Sequence, residues 1–344
     1  MILACCVVGA ACGRIGFAER GGSGTGDGGD RDAMVGDGGA GDGPPAASCP
    51  GVAATCGPSG TSPCCGSPLV PGGTYYRSYD LGTDSAYPDM SSPATVGDFR
   101  LDTYEVSVGR FRQFVNAGMG TQQNPPSAGA GARTLNGLAN QGGWAATWTA
   151  SLATDTAALV AAVKCTQGQT WTDTPAANEG LPMNCITWYE AMAFCVWDGG
   201  FLPTEAEWNY AAAGGSEQRA FPWSVPASSL TVDCSHANGL IYTNYCANPL
   251  MGEANRVGSE SPVGDGKWDH ADLAGNVAEW TLDWYAASYP TPCDGCADLT
   301  AATSRAIRGG GFGNNELMIR GAFRASSPPA TRSIVIGWRC ARAP

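Results

Sequence analysis

Cysteine is the residue type in this sequence with the most chemical potential, because fifteen of the 344 residues are Cys. The tightest spacing is in Cys293-Asp-Gly-Cys296, a pattern that is redox-active when a βαβ unit surrounds it. No such alternation of strand and helix patterns flanks this motif. We therefore expect a short structural disulfide between Cys293 and Cys296 rather than a redox centre.

A second group of cysteines lies in residues 49–66, where four Cys stand in a Pro-, Gly- and Ser-rich stretch without hydrophobic periodicity. Such a segment keeps a shape only when it is cross-linked, either by two local disulfides or by bridges to the rest of the chain. A zinc site is the alternative, although the segment lacks a paired C-x-x-C. Proximity along the chain indicates two further pairs, Cys234 with Cys246 and Cys165 with Cys185.

The charge and composition limit the partners and the compartment. The formal net charge is -12 and the chain contains no basic run, which excludes a phosphate-tracking surface, so we expect no nucleic-acid partner. The dispersed cysteines favour disulfides and an oxidising compartment. The 49 Gly and 23 Pro predict many turns and loops rather than long helices.

Residues 1–12 are similar to the end of an export signal. Their apolar run is too short to span a bilayer, and Val8-Gly-Ala-Ala-Cys12 resembles a bacterial lipoprotein cleavage box. An ordinary cleaved signal peptide is the alternative. We expect an exported protein, which is either secreted or a periplasmic or cell-surface lipoprotein attached to the membrane through a lipidated Cys12.

The elements that must position any site follow a Gly- and Asp-rich stretch. Residues 13–48 offer almost nothing apolar to bury, which predicts a disordered linker, and residues 67–344 are expected to form the main domain. The remaining sequence predicts loops and short strands, so the expected fold class is α+β with little regular secondary structure.

Three helices are signalled within this domain. The stretch from Phe99 alternates like a strand and then takes helical spacing after a cap at Ser107. Thr187 is expected to cap a second helix. Thr204 and Glu207 form a capping-box pattern that predicts the start of a third.

Five blocks of the main domain resemble, in order, the signature of the formylglycine-generating enzyme (sulfatase-modifying factor) family. The resemblance covers about 270 residues, and it implies a compact variant of the C-type-lectin-like fold. The blocks are PGG at 71–73, DTYEVSV at 102–108, LPTEAEW at 202–208, DLAGNVAEW at 272–280, and RGGGF at 308–312 together with GWRC at 337–340.

The resemblance breaks at the catalytic residues. The family oxidises a Cys of a sulfatase peptide to formylglycine with molecular oxygen, using two Cys that bind copper(I) in the aerobic enzymes, because soft thiolates select this ion. The expected Cys positions fall at or near Asn314, Glu316 and Ile319, and no Cys occurs between Cys296 and Cys340. The sequence therefore predicts that this protein neither generates formylglycine nor binds copper.

Calcium is the cofactor that the resemblance implies, because carboxylates on a Gly-bearing loop suit a hard cation. The ligands would be two carboxylates and two backbone carbonyls, and the alternative is that Glu279 caps the backbone or pairs with an Arg. A second, weaker set lacks part of the expected charge. The first set is Asp272, Gly275, Val277 and Glu279, and the second is Asn238, Gly239 and Asn255.

A sister branch of this fold, the iron-dependent sulfoxide synthases, requires three His. The chain has only His236 and His270, so we expect no iron site and a surface or hydrogen-bonded structural role for both. The resemblance also implies a disulfide between Cys195 and Cys340. Closing so long a loop stabilises by about 4 to 5 kcal/mol in the entropy model.

Three functions stay open from the sequence, and the first is preferred. This is a calcium-stabilised, non-catalytic module that binds a peptide, protein or glycan in a Trp- and Asn-lined groove. The second is an enzyme of divergent chemistry in the maturation of exported products, and the third is formylglycine oxidation itself. The groove candidates are Asn314, Asn315, Arg320 and Arg324, and the Trp candidates, most of which the alternative places in the core, are Trp144, Trp148, Trp171, Trp223 and Trp284.

Overall fold

The computed structural model describes residues 46–344. The export signal, Cys12 and all but the last three residues of the predicted linker therefore lie outside the described residues. Within residues 46–344, no helix combines the length and the apolar character needed to cross a membrane.

The helices are short and begin at side-chain caps. The three predicted starts are confirmed, since Ser107 Oγ accepts from a backbone N–H and both Thr187 and Thr204 head complete capping boxes. A further helix was not predicted. It starts at Asp155, whose carboxylate accepts from Ala158 N at 2.8 Å, and the segment is short and almost without a buried face. The helices are α1 (Val108–Asn116), α2 (Thr156–Ala162), α3 (Trp188–Trp197) and α4 (Glu205–Ala212).

Two sheets and three hairpins make up the strand content of the described chain. The larger sheet has the order β11-β10-β9-β12, with β12 parallel to β9, and the smaller has the antiparallel order β1-β4-β13. The strands are β1 (Leu69–Val70), β2 (Gly73–Tyr76), β3 (Pro93–Val96), β4 (Phe99–Leu101), β5 (Arg133–Leu135), β6 (Leu138–Gln141), β7 (Leu240–Ile241), β8 (Asn244–Tyr245), β9 (Ala278–Trp284), β10 (Arg305–Arg308), β11 (Ala325–Ser327), β12 (Ile336–Gly337) and β13 (Ala341–Arg342).

An aromatic core joins the helices to the C-terminal strands. Phe111 of α1 stacks on Phe194 of α3, and Trp338 meets both rings edge-on. Trp144 and Trp171 belong to this buried core, so the prediction that they line a groove is wrong for these two. Their burial follows from packing partners that are far away in the sequence.

Every cysteine in residues 46–344 forms a disulfide. The expected bridge between Cys195 and Cys340 is present, as are the short bridge in the C-x-x-C motif and two nested local bridges in residues 49–66. The zinc alternative for that segment is therefore wrong, because its four sulfurs are bonded in pairs. The pairs are Cys49–Cys65, Cys56–Cys64, Cys165–Cys185, Cys195–Cys340, Cys234–Cys246 and Cys293–Cys296.

Candidate functional site

The segment that follows β10 replaces the expected cysteines with a hydrogen-bonded turn. Asn314 Oδ1 accepts from Gly311 N at 2.9 Å, and Asn314 N donates to Gly311 O at 2.8 Å. The turn needs Gly at 310, because a Cβ there would lie 2.5 Å from Met318 O. Asn314 Nδ2 also donates to Met318 Sδ at 3.5 Å. The Asn314 side chain thus closes what we call the 309–319 loop.

The residues at the other positions where Cys was expected also have structural roles in the 309–319 loop. Glu316 accepts from Tyr242 N in the β7–β8 turn, and Ile319 is fully buried in a small core cluster. Asn315 is exposed, and its Oδ1 accepts from Met318 N at 3.2 Å. None of these three side chains is a soft ligand, so the loop offers a copper(I) ion nothing but the Met318 thioether.

The two arginines among the groove candidates are already engaged elsewhere. Arg320 is buried and forms an ion pair with Asp84, whose nearest oxygen is 2.6 Å from Nη2. Arg324 binds Glu205 through two nitrogens, at 2.6 and 2.7 Å. The structure therefore shows both guanidinium groups held in ion pairs with carboxylates.

Large exposed apolar side chains lie on the 309–319 loop and on the segments packed against it. The β7–β8 hairpin is joined to this loop by a bond from Leu240 N to Asn314 O at 2.9 Å. Gly252 packs so closely that a Cβ there would lie 3.0 Å from the Phe312 ring, which brings residues 248–252 to the same edge. We call these exposed side chains the apolar rim; they are Tyr242, Leu250, Met251, Leu317 and Met318.

The first predicted calcium set is not free to bind a cation through Glu279. Both oxygens of this carboxylate are used, since Arg339 donates to them at 2.7 to 2.9 Å and Trp208 Nε1 donates at 2.8 Å. Asp272 is buried, and its Oδ2 accepts from Gly258 N at 2.6 Å. The structure thus shows the ion pair that was the alternative for Glu279.

Unsatisfied oxygen atoms gather instead near the second predicted set. Asn255 Oδ1 and Glu260 Oε2 are both inaccessible and lack a hydrogen-bond donor in the described structure. The other end of each group is used, because Asn255 Nδ2 donates to Glu260 Oε1 at 2.6 Å. Burial and then Glu260 raise the pKa of Asp272 to about 8. These oxygens suit a hard cation, so residues at this place fit calcium.

The amides of this region organise the backbone around those oxygens. Asn276 Oδ1 accepts from Asn255 N at 3.0 Å, and the Asn238 amide donates to Glu253 O at 2.9 Å. Glu105 is fully buried and accepts from Val277 N at 3.0 Å. Burial, followed by neighbouring carboxylates, raises the pKa of Glu105 well above its usual range. Acidic groups therefore outnumber the arginines that could neutralise them here.

The two histidines take the structural roles expected. His236 lies beside Asp233, with 2.8 Å between Nδ1 and Oδ1. His270 is buried, and its Nε2 lies 3.1 Å from Leu101 O. Burial and then Arg339 lower the pKa of His270 to about 3, which keeps it neutral.

The fold and the altered loop together define the class. The domain described as sulfatase-modifying factor enzyme 1-like matches residues 53–344, so the chain belongs to that family of formylglycine-generating enzymes and their relatives. Mixed helix and sheet with modest regular structure is what this family's fold neighbours show, in line with the predicted C-type-lectin-like variant.

Individual relatives span catalytic and inactive members. A formylglycine-generating enzyme of Thermomonospora curvata is 28% identical over 81% of this chain and 94% of its own length. A bovine protein named inactive C-alpha-formylglycine-generating enzyme 2 is 29% identical over 47% of this chain and 50% of its own length. Among solved structures, PvdO from Pseudomonas aeruginosa superposes with a TM-score of 0.53 at 19% identity, covering 80% of this chain and 93% of that one, which supports the fold.

Sequence reasoning missed Glu260, Glu105 and the apolar rim. Glu260 carries no recognisable spacing signal, since it acts on the pKa of Asp272 only because the fold brings the two carboxylates near each other. In the sequence alone, the exposed Leu250 and Met251 cannot be distinguished from other loop residues. The detectable signal for Glu105 was its place in the DTYEVSV block.

Proposed function

We propose that this protein is an exported, calcium-stabilised module that binds a peptide at the 309–319 loop. The observation that carries the proposal is the apolar rim, five large side chains left in solvent around a loop that its own hydrogen bonds hold closed. Large apolar side chains exposed on segments that pack together are a common mark of an interaction surface. Aliphatic and Met side chains suit the side chains of a peptide better than the faces of a sugar.

Formylglycine generation is not part of this function. The reaction in this family needs two cysteines, and the corresponding positions hold residues at or near Asn314, Glu316 and Ile319. Every cysteine in residues 46–344 is already paired, which leaves that part of the chain without a thiolate for copper(I). We propose that this chain, like the bovine relative that is named inactive, lacks the oxidase activity, because the two cysteines are missing.

Calcium belongs to the proposal as a structural ion. Asn255, Glu260 and Asp272 would hold it, because two of their buried oxygens have no donor and Asp272 is strained toward its neutral form by burial. A bound divalent cation supplies the positive charge that this acidic region lacks. It would connect residues 255–260 to the loop before β9 and so steady the strand next to the 309–319 loop.

Export and attachment complete the proposed setting. The disulfides of the described chain are consistent with an exported protein. We propose that residues 13–48 form the tether of the domain and that Cys12 carries the lipid. Metabolic labelling with palmitate should mark the protein and should fail in a Cys12→Ala variant.

The peptide-binding proposal is tested by selection from a random peptide display library and by a glycan array, both with the full chain. We expect apolar peptides to be selected and their binding to fall at least tenfold in the Leu250→Ser/Met251→Ser double variant, since each buried apolar side chain contributes about 1.5 to 3 kcal/mol. Leu138→Ser removes a Leu of β6 that is as exposed as Met251 and lies outside the apolar rim, and it serves as the control. Glycans without peptides, or peptides that bind the double variant equally well, would refute the proposal.

The loss of oxidase activity is tested separately. Copper-loaded protein is incubated with a Cys-containing sulfatase peptide, and aldehyde formation is followed by mass spectrometry. We expect no aldehyde, and catalytic conversion of the peptide would show that the protein is a formylglycine-generating enzyme.

A further inference from the structure

A polar cavity lies in the main domain, and no residue of the 309–319 loop lines it. It has a volume of about 400 Å³, within the size range of small-molecule sites. Four segments that are distant in sequence form its wall: the residues after β2, the loop before β3, residues 287–291 and the residue before β11. The lining combines two arginines and a tyrosine with hydroxyl groups; the main contributors are Arg77, Arg324, Tyr289, Ser78, Ser92 and Ser288.

Arg77 is the unusual member of this lining, because it is a buried cation without an ion pair. Only 3% of its surface is exposed, and its hydrogen bonds go to Ser92 O, Pro290 O and Cys296 Sγ, all of which are neutral. The carboxylates of Glu205 and Asp283 act on the Arg77 charge only electrostatically, from beyond ion-pair distance. A charge in this position is costly unless a counter-ion reaches it.

The neighbouring charges do not supply that counter-ion. Glu205 is already shared by Arg324 at 2.6 Å and Arg308 at 3.5 Å, and Arg308 has two buried nitrogens, Nε and Nη2, without a hydrogen-bond partner in the described structure. The carboxylate of Asp283 is held by two backbone N–H groups, and burial together with Glu205 raises its pKa to about 7. Positive charge is therefore in excess around the cavity.

The geometry of the two guanidinium groups indicates what the cavity can take. Arg77 and Arg324 lie over the ring of Tyr289, at 4.3 and 3.9 Å from its centroid. Each of the three Arg77 nitrogens donates one N–H to a neutral acceptor, so two of its five N–H groups remain, together with the hydroxyls of the lining, to meet a planar oxyanion. The only acid in the lining is Asp89, which is exposed and whose carboxylate accepts from Ser91 N and Ser91 Oγ.

We propose that this cavity binds the carboxylate group of a small ligand, with Arg77 as the main counter-charge. A singly charged carboxylate matches Arg77, the one cation of this lining without an ion pair, whereas a phosphate dianion would bring more negative charge than Arg77 alone offsets. A larger cavity of about 630 Å³ nearby is lined by no arginine, lysine, histidine or aromatic residue and offers no comparable recognition.

The test is calorimetric titration of the full chain with acetate and, separately, with inorganic phosphate, at constant ionic strength set by chloride. We expect saturable acetate binding and a loss of about tenfold or more in affinity for Arg77→Gln, which removes charged hydrogen bonds. Asp89→Asn removes the negative charge of the cavity lining, which repels acetate, and should tighten acetate binding. We expect an effect of only about threefold, because an exposed charge acts weakly in water. This exposed substitution keeps the test valid if Arg77→Gln does not fold.

Asp173→Asn, an exposed acid outside the cavity, is the matched control and should leave the affinity unchanged. Acetate that binds no better than chloride would overturn the proposal. Preferential binding of phosphate would also overturn it, as would an acetate affinity that is unchanged in Asp89→Asn.

Discussion

Glu279 and Arg339 form a fully buried ion pair, with Arg339 Nη2 2.7 Å from Glu279 Oε1 and both side chains inaccessible to solvent. Arg339 also donates to the carbonyls of Asp102, Thr103 and Ala271. One guanidinium therefore neutralises the acid of the DLAGNVAEW block and fastens the segment after β4 to the loop before β9. This pair holds together three of the blocks that carry the family resemblance.

Replacing Arg339 should be among the most damaging single changes. Arg339→Met leaves Glu279 charged and buried without its partner, which costs about 3 to 5 kcal/mol of unfolding free energy. Urea unfolding measures this loss. Lys164→Met, in the exposed pair with Asp173, should cost less than about 1 kcal/mol. Equal losses in the two variants would show that burial of the Glu279 pair does not set its contribution.

Calcium removal should lower the melting temperature, and the responsible residues can be separated. In Glu260→Gln we expect the calcium-induced rise in melting temperature to shrink strongly, because one ligand charge is lost. Glu279→Gln should lower stability but keep the calcium-induced rise, because its oxygens are used by Arg339 and Trp208. Metal analysis gives the stoichiometry. The opposite pattern would assign the ion to the set that includes Glu279.

The turn at Asn314 should contribute measurable stability. Asn314→Ala removes the acceptor of Gly311 N and should lower the unfolding free energy by about 1 kcal/mol. Exposed Gln123 makes no such bond within the described chain, and Gln123→Ala should stay within about 0.5 kcal/mol of the parent protein. An unchanged stability for Asn314→Ala would mean that the 309–319 loop is not held by this side chain.

The disulfides should differ in value according to the loop that each one closes. Cys195–Cys340 spans 145 residues, and the entropy model gives about 5 kcal/mol for a loop of this length. Cys293–Cys296 spans three residues and is expected to contribute about 2 kcal/mol. Paired Cys→Ala variants measured by denaturant unfolding compare them. A reversed order would contradict the entropic account.

Asp283 should make stability depend on pH. Its pKa in the folded protein is raised to about 7 by burial and by Glu205, whereas an unfolded Asp titrates at about 4. The folded state therefore holds the proton more tightly, and its contribution to the unfolding free energy falls as the pH rises from about 4 to about 7. The unfolding free energy of the parent minus that of Asp283→Asn, measured in chelator, should therefore fall as the pH rises over this range. A constant difference would mean that Asp283 does not titrate there.

Local signals in the sequence determined several features of this protein. Caps at Ser107, Thr187 and Thr204 set the starts of three helices, because a cap bonds to a backbone group only two or three residues away. The family blocks gave the fold and the bridge from Cys195 to Cys340. The missing cysteines near Asn314 were equally visible in one dimension.

Only the tertiary structure decided which charges are neutralised and which apolar groups stay in water. Glu279 meets Arg339 across 60 residues of sequence, and the cavity at Arg77 includes Arg324 from the far end of the chain. The apolar rim likewise combines Tyr242 with Leu317, because Tyr242 N donates to Glu316, the neighbour of Leu317 in sequence. Ion pairing and burial depend on distance in space, whereas sequence patterns report only the neighbours along the chain. These sites could therefore be identified only from the tertiary structure.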